Sequence, residues 1–263
     1  MRLFFFSVVF FINIGGIAQT VVSNSQKAVQ LKIHWQLVGE LDGKVERMDI
    51  IDSIYVVNRK DHFIYLIPHL TEHSKITVSK DNEIINDSLL AKTINFEAFV
   101  FMNNDSLGLK FDSLTAKTGA LFNVDTFLVN RSFKGMKPYN EENDSLIEKV
   151  YSDNNTRLVE KYIPKILFEN AFDSTYFFFT KEKIETTITF SELLELKKGM
   201  KVSKIIGVYN EIPIGKYPFM VPERKMIWEL KNVHLSLKEE IDLLINEYHK
   251  IKYGQNKIGK SKV

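Results

Sequence analysis

The most regular hydrophobic pattern in the chain runs from Val29 to Leu37. Every second residue of this segment is apolar and the residues between are polar, the apolar set being Val29, Leu31, Ile33, Trp35 and Leu37. A repeat of two predicts a β-strand with one buried face and one face in water. Asp42-Gly43 follows and predicts a hairpin turn, because glycine accepts the positive φ that such a turn needs.

Short apolar runs separated by polar turns recur through the first half of the chain. The predicted strands are 53–57, 62–67, 76–78, 84–85, 93–102, 107–111 and 121–129. Strands of this length, joined in pairs by short polar turns, are typical of antiparallel meanders. Asp-Ser pairs such as Asp105-Ser106 fall in several of these turns, where both side chains bond nearby backbone N–H groups.

The pattern changes after Pro138. Residues 145–151 and 156–168 have helical spacing, with Leu158, Tyr162 and Ile166 on one stripe, and Pro164 is expected to kink or end the second helix. Further strands are predicted at 174–180, 183–190, 202–209 and 225–230. A short helix at 191–198 is predicted to stop at Gly199.

The C-terminal helix carries the fullest set of helical signals. Ser236 is the expected N-cap, Glu239 completes a capping box, and Gly254 stands where a C-cap favours positive φ. One apolar stripe contains Leu237, Ile241, Leu244, Ile245, Tyr248 and Ile251. We expect this stripe to pack on a sheet face; the alternative is a stripe that binds a partner protein.

Together these patterns predict an α+β, β-rich fold of antiparallel hairpins with a few helices and a C-terminal amphipathic helix packed on a sheet face. Residues 29–135 form the predicted antiparallel β region and residues 136–254 an α+β region, expected to make one continuous domain. Residues 19–28 are a predicted flexible lead-in, and residues 255–263 a basic tail.

The first eighteen residues have the three parts of a secretory signal peptide. Arg2 supplies a positive charge, an apolar stretch runs from Leu3 to Ile14, and Gly16 and Ala18 are small residues at the exit. We therefore expect cleavage between Ala18 and Gln19 and a secreted or periplasmic protein. The alternative, an uncleaved anchor, needs about 20 apolar residues, and this run is shorter. No second stretch approaches that length, so no transmembrane segment is expected after cleavage.

Composition narrows the possible functions. The chain has no cysteine, which excludes disulfides, thiol catalysis and thiolate metal sites. Its formal net charge of +2 offers no clustered basic face, so nucleic acid is not an expected partner. Stability must come from an apolar core without covalent cross-links.

One short motif has the spacing of a metal site. In His69-Leu70-Thr71-Glu72-His73, the two histidines would share one face of a helix and could hold zinc while Glu72 polarises its water. The five residues resemble the H-x-x-E-H motif of inverzincin metallopeptidases. That resemblance implies a further acidic ligand downstream, for which Glu148 and Glu160 lie at plausible distances. The alternative is a pair of ordinary surface histidines.

Three other segments are candidates for binding. The segment 211–222 is rich in proline and presents Tyr217, Phe219 and Met220; its Glu-Ile-Pro triplet resembles a segment of the secreted GLPGLI family, whose naming signature is absent here. Aromatic runs at 99–101 and 176–179 indicate either core or an apolar groove. Residues 103–112 have too few acidic side chains for a calcium loop.

The sequence therefore favours an exported, soluble, non-enzymatic binding or structural module whose partner is an unknown protein or small molecule. No catalytic, ligand-binding or metal-binding residue is assigned, and no cofactor is expected. The alternative function is a zinc-dependent hydrolase that uses the motif at 69–73.

Overall fold

A computed structural model describes residues 25–41, 44–78, 84–131, 133, 143–166, 171–215 and 219–258. The predicted signal peptide, the Asp42-Gly43 turn and the last five residues of the predicted basic tail lie outside these residues. No helix in the described ranges combines the length and the apolar character needed to cross a bilayer.

Eleven antiparallel strands in the described residues form one open sheet. They are β1 (Gln26–Leu41), β2 (Lys44–Arg59), β3 (His62–Val78), β4 (Ile84–Met102), β5 (Leu107–Phe111), β6 (Ala120–Asn123), β7 (Asp144–Ser152), β8 (Arg157–Pro164), β9 (Ser174–Thr180), β10 (Lys201–Tyr209) and β11 (Arg224–Leu235). Their spatial order is β6-β5-β4-β3-β2-β1-β11-β10-β9-β8-β7. Two meanders, β1–β6 and β7–β11, are therefore joined through the pairing of β1 with β11.

The described residues include three helices: α1 (Val124–Asn130), α2 (Glu192–Lys198) and α3 (Lys238–Ile258). They cover the two faces of the sheet. We call the face packed against α1 and α2 the inner face, and the face packed against α3 the outer face. This β-rich antiparallel architecture with few helices agrees with the predicted fold class.

The alternation along β1 and β3 divides the apolar residues between the two faces. Val29 and Leu31 lie in the inner cluster while Ala28 lies in the outer one, and Tyr65 is inner while Ile64 is outer. Apolar burial on both faces explains why these strands are rich in large apolar residues. The outer cluster is completed by Ile241, Leu244 and Tyr248 of α3, all fully buried.

The prediction of helices at 145–151 and 156–168 is wrong, because these residues form the hairpin β7–β8. Leu158, Glu160 and Tyr162 are all buried and alternate with less buried neighbours. The spacing of four between Leu158 and Tyr162 fits a strand as well as a helix, since four is also a multiple of two. The buried Glu160 hid the alternation, because a charged residue is expected outside.

Two predicted strands are also corrected. The segment 121–129 divides into β6 and α1, since the Asn123 side chain accepts a hydrogen bond of 2.8 Å from the Thr126 N–H and so caps a helix. The segment 183–190 is irregular apart from an isolated bridge at Thr189. Ile188 and Phe190 of this segment are fully buried in the inner cluster, which accounts for their apolar character.

The helix signals had different outcomes. The structure confirms α2: the Ser191 side chain caps its first turn and Gly199, with φ of 60°, ends it in the left-handed conformation. The predicted end of the last helix at Gly254 is wrong, because α3 continues to Ile258. β1 begins at Gln26, three residues inside the predicted lead-in.

His62 lies at the contact between the β2–β3 turn and α3. Its side chain is buried, Nε2 has no hydrogen-bond partner among the described residues, and the ring is 4.9 Å from that of His249. Burial, reinforced by His249, lowers the pKa of His62 from 6.5, although the backbone carbonyl of Arg59, which accepts a hydrogen bond from the imidazole, and the charge of Asp61 oppose it.

Acidification should therefore destabilise the protein through His62. The unfolded chain binds a proton near pH 6.5 and the folded chain only at lower pH, so this contribution to stability is present above 6.5 and is lost as the pH falls below it. Thermal unfolding between pH 8 and 5 should show a smaller acid-side decrease in His62→Phe than in wild type. His234→Gln, at an exposed site, is the control; an equal decrease in all three proteins would contradict the assignment.

Candidate functional site

A cavity of about 890 Å³ lies at the end of the sheet where β3 begins and β4 ends. The β4–β5 turn (103–106) and α1 form one side of it. The irregular segment 181–189, α2 and the start of β10 form the other side. The ends of β3 and β4 therefore position the wall formed by the β4–β5 turn and α1, and the opposite wall depends largely on a segment without regular structure.

The floor of the cavity is apolar. Phe101, Val124, Leu128 and Met200 line it and are themselves buried, and the partly buried Phe63 joins them. Aromatic rings support this floor from behind: Phe99 and Phe127 stack with centroids 4.3 Å apart, and Tyr65 and Phe133 with centroids 4.9 Å apart. Close packing of this kind fixes the shape of the floor.

Three threonines of the segment 181–189 line the cavity: Thr186, Thr187 and Thr189. Thr187 Oγ1 hydrogen-bonds the hydroxyl of Tyr65, and Thr186 Oγ1 accepts a bond of 3.1 Å from the Ile188 N–H. Burial raises the pKa of Tyr65 far above its ordinary value, so its hydroxyl keeps its proton. The buried Oγ1 of Thr189 has no partner among the described residues. Such a group is costly to bury alone, and a bound polar atom would remove that cost.

The charged groups next to the cavity bind one another. Lys201 Nζ donates to Glu195 Oε2 at 2.9 Å and to the carbonyl of Ile188 at 2.7 Å. Glu195 Oε1 also accepts a bond of 3.4 Å from the Val202 N–H. This network ties α2 to β10 and to the cavity wall, so these charges have a structural use that does not depend on a ligand.

Glu160 lies on the inner face of β8 and is completely buried. Its carboxylate accepts hydrogen bonds from Lys198 at 2.7 Å and from the Tyr162 hydroxyl at 2.8 Å, and Lys149 Nζ lies 3.5 Å away. Lys198 comes from α2, so the buried pair anchors that helix to the sheet. Glu148, the other acidic residue considered from sequence, is exposed on β7.

The motif at 69–73 lies in strand β3 and not in a helix. Four residues along a strand span about 13 Å, so His69 and His73 have lost the helical juxtaposition on which a shared zinc ion depends. His69 is exposed and lies 3.8 Å from Glu97, which forms an ion pair of 2.5 Å with Lys110. The side chains of Glu72 and His73 lie outside the described part. Within that part, no group of three or more acidic or histidine side chains could hold a metal ion.

The turn 103–106 uses its acidic residue for packing. Asp105 Oδ2 accepts hydrogen bonds from the Tyr248 hydroxyl at 3.0 Å, from the Met102 N–H at 3.1 Å and from Lys252. Burial alone would raise the pKa of Asp105, but the bonds from Lys252 and Tyr248 outweigh it and lower the pKa. Asp105 therefore links the cavity rim to α3.

The proline-rich segment forms a small loop closed by paired Ile212 and Val221. Met220 is exposed on this loop, whereas Tyr217 lies outside the described residues. The aromatic run on β9 contributes to the core, since Phe177 and Phe179 are buried in the inner cluster. The candidate groove at that run is therefore filled by the protein itself.

Sequence reasoning did not identify the cavity. The threonines that line it belong to the segment 183–190, which the sequence pattern predicts as a strand, and threonine is common in strands. The Glu195–Lys201 pair joins a helix to a strand across a bend, so no spacing rule indicates it. The one available signal was the Thr-Thr-Ile-Thr sequence at 186–189, in which three hydroxyl side chains surround a single apolar residue.

Comparison with known proteins provides little. No protein-family model matches the chain, and no curated protein matches it. Among solved structures, a DUF1329 family protein from Desulfovibrio piger ATCC 29098 is similar at 11% identity, with 82% of this chain and 89% of that chain covered and a TM-score of 0.17. A likeness at this score supports no conclusion about fold or function.

Removing the cation from the buried pair should loosen α2. In Lys198→Met, the Glu160 carboxylate keeps the hydrogen bond from the Tyr162 hydroxyl and the more distant ammonium group of Lys149. The free energy of unfolding should therefore fall by on the order of 2 kcal/mol. Chemical denaturation measures this difference. Lys183→Met removes the exposed Lys183–Glu185 pair and should leave stability unchanged. Equal stability of the two variants would argue against the anchoring role of Glu160.

Proposed function

We propose that this protein is an exported binding module that holds an amphipathic small molecule in the cavity beside α1 and α2. The observation that carries the proposal is the combination of an apolar floor with a buried hydroxyl, that of Thr189, which has no partner among the described residues. A ligand with an apolar body and one hydrogen-bonding group would match both features.

The size of the cavity supports the same proposal. Its volume of about 890 Å³ falls in the range of about 300–1,000 Å³ that is typical of small-molecule sites. The floor is held by stacked aromatic rings on the sheet, so little conformational entropy would be lost there when a ligand binds.

Charge distribution supports an uncharged contact deep in the cavity and charged contacts at its rim. Lys201 and Glu195 neutralise each other in the wall, and Lys183 pairs with Glu185. The rim also carries exposed charges of both signs, Lys181, Glu182 and Glu192. A ligand whose head group carries negative charge would place that charge near Lys181 and its apolar part against Phe101 and Leu128.

Export is the second part of the proposal and depends on the N-terminal sequence. Arg2, the apolar run to Ile14 and the small residues Gly16 and Ala18 support removal of residues 1–18 and release into the periplasm or the medium. The absence of cysteine suits an oxidising compartment, because no thiol is present to form a wrong disulfide.

The cavity can be tested with a dansyl-labelled fatty acid as an amphipathic probe. Leu196 lines the cavity and is 75% exposed, so Leu196→Glu should preserve the fold and lower the affinity for the anionic probe about tenfold by placing a like charge at the site. Dansyl fluorescence titration measures the affinity.

Leu193→Glu is the matched control, because Leu193 lies on the same helix, is also exposed and does not line the cavity. Thr189→Val provides an independent test, since the loss of its hydroxyl should alter affinity for the probe without reducing thermal stability. Failure of wild type to bind the probe, or an equal effect of both glutamate variants, would reject the proposed site for this ligand class.

Export can be tested by mass spectrometry of the protein recovered from the medium or periplasm of an expressing bacterium. The N-terminus should be Gln19, and Ala18→Phe should accumulate uncleaved chain, because signal peptidase needs a small residue before the cut. A recovered native chain that begins at Met1 would disprove cleavage.

A further inference from the structure

The hairpin of β1 and β2 extends beyond the strands that flank it. On one side, the described pairing of β1 with β11 ends at Trp35 and Met226. On the other side, the pairing of β2 with β3 ends at Tyr55 and Leu66. Residues 36–41 and 44–49 therefore form a two-stranded ribbon, and residues 50–54 of β2, which pair with β1 alone, continue its open edge. A two-stranded ribbon by itself is marginally stable in water and leaves strand edges unpaired.

Pro68 explains why β2 and β3 separate at this point. The pairing of β3 with β4 passes through Pro68 and Phe96 without a register shift, whereas the pairing with β2 has ended two residues earlier. Proline has no N–H to donate and is accepted in a sheet where its nitrogen faces no neighbouring strand. The side of β3 that faces β2 is thus unsuited to continue the ladder, and the outer edge of β2 is left without a strand partner in the described residues.

The inner face of the ribbon has a regular chemical pattern. Four large apolar side chains lie on it in two cross-strand pairs and are 40–61% exposed: Trp35 with Ile50, and Leu37 with Met48. We call these four residues the ribbon patch. It continues the inner apolar face beyond Leu31 and Ile54, which form the next buried cross-strand pair of this face.

Carboxylates stand at both ends of the ribbon patch. Alternation along β2 places Asp52 and Glu46 on the same face as Ile50 and Met48, and both acidic residues are exposed. Neither forms an ion pair with a described residue. From Glu46 to Asp52 the inner face of β2 therefore reads acidic, apolar, apolar, acidic, and the two carboxylates are six residues, or about 20 Å, apart. The exposed Lys44 precedes Glu46 on the same face.

The two edges of the ribbon differ in whether other described residues contact them. The outer edge of β1 is contacted by the start of β11 and the residue before it: Gln36 Oε1 accepts a bond of 3.1 Å from the Lys225 N–H, and Arg47 donates one of 2.9 Å to the carbonyl of Glu223. No such contact reaches the outer edge of β2 from the described residues. A partner strand would therefore add to β2.

We propose that the outer edge of β2, from Glu46 to Asp52, is a docking site for an extended cationic peptide segment of a partner protein. The segment adds as a strand beside β2, with basic residues opposite Asp52 and Glu46 and apolar residues opposite Ile50 and Met48. Main-chain hydrogen bonds fill the open edge, and cross-strand pairs set the register. This site is separate from the cavity and does not depend on the function proposed for it.

A strand explains more of these features than other occupants do. A lipid chain would cover the ribbon patch but would leave the backbone donors and acceptors of β2 unmet. The carboxylates at each end match a strand with basic residues six positions apart, which is a spacing on one face of a strand. Binding of a second copy of this chain is the competing arrangement, and the experiment below distinguishes it.

The test uses the full mature chain and a fluorescein-labelled peptide with the core Lys-Thr-Val-Thr-Leu-Thr-Lys, followed by fluorescence anisotropy. Wild type should bind it saturably. The double variant E46K/D52K should bind it at least about tenfold more weakly and should instead bind the same peptide with both lysines replaced by glutamate. Glu40→Lys, which changes an exposed carboxylate on the outer face of the same ribbon, should bind like wild type.

A second peptide tests the backbone contribution. Proline at all three threonine positions removes N–H donors and should abolish binding, although the charges and apolar residues are kept. Equal binding of this peptide, no saturable binding by wild type, or no reversal by E46K/D52K would each overturn the proposal. A dimer of wild type in analytical ultracentrifugation that E46K/D52K separates would also overturn it, in favour of self-association.

Discussion

A sheet that is apolar on both faces must be covered on both, and this constraint determines most of the structure. The middle strands carry residues such as Val56 and Val57 that are fully buried on opposite faces. The long helix α3 covers one face. On the inner face, α1, α2 and the irregular segment 181–189 together provide the cover that α3 alone provides on the outer face. Because these pieces fit together less regularly than a helix, they leave the cavity between them.

The same constraint explains where the sheet remains open. On the inner face, Val29, Leu31, Ile54 and Val56 are buried, and the cover decreases toward the ribbon, where the apolar face continues without a described element over it. The protein thus has two apolar regions on one face, one recessed in the open cavity and one flat on the ribbon. The recessed region suits a small molecule, and the flat one suits a polypeptide that can also use the strand edge.

Period-two segments such as Val29 to Leu37 were predictable because each strand there has one consistently apolar face. The helix α2 was predictable because its local caps, Ser191 and Gly199, act over a few residues, and α3 was predictable because its apolar stripe recurs at helical spacing. Prediction failed at β8, where the buried carboxylate of Glu160 interrupts the alternation and depends on Lys198, a residue distant in sequence. It also failed for the cavity, whose walls meet only through tertiary contacts, so no local rule joins Thr189 to Phe101.

The pairing of β1 with β11 affects how the protein folds. Ile33 pairs with Trp228, so the centre of the sheet joins residues roughly two hundred positions apart, and contacts of such long range slow folding. Each meander can form early from neighbouring hairpins, but β1 keeps a bare edge until the C-terminal part of the chain arrives. During that interval the edge is a site for wrong pairing between chains, and the speed with which β11 closes it decides between folding and aggregation.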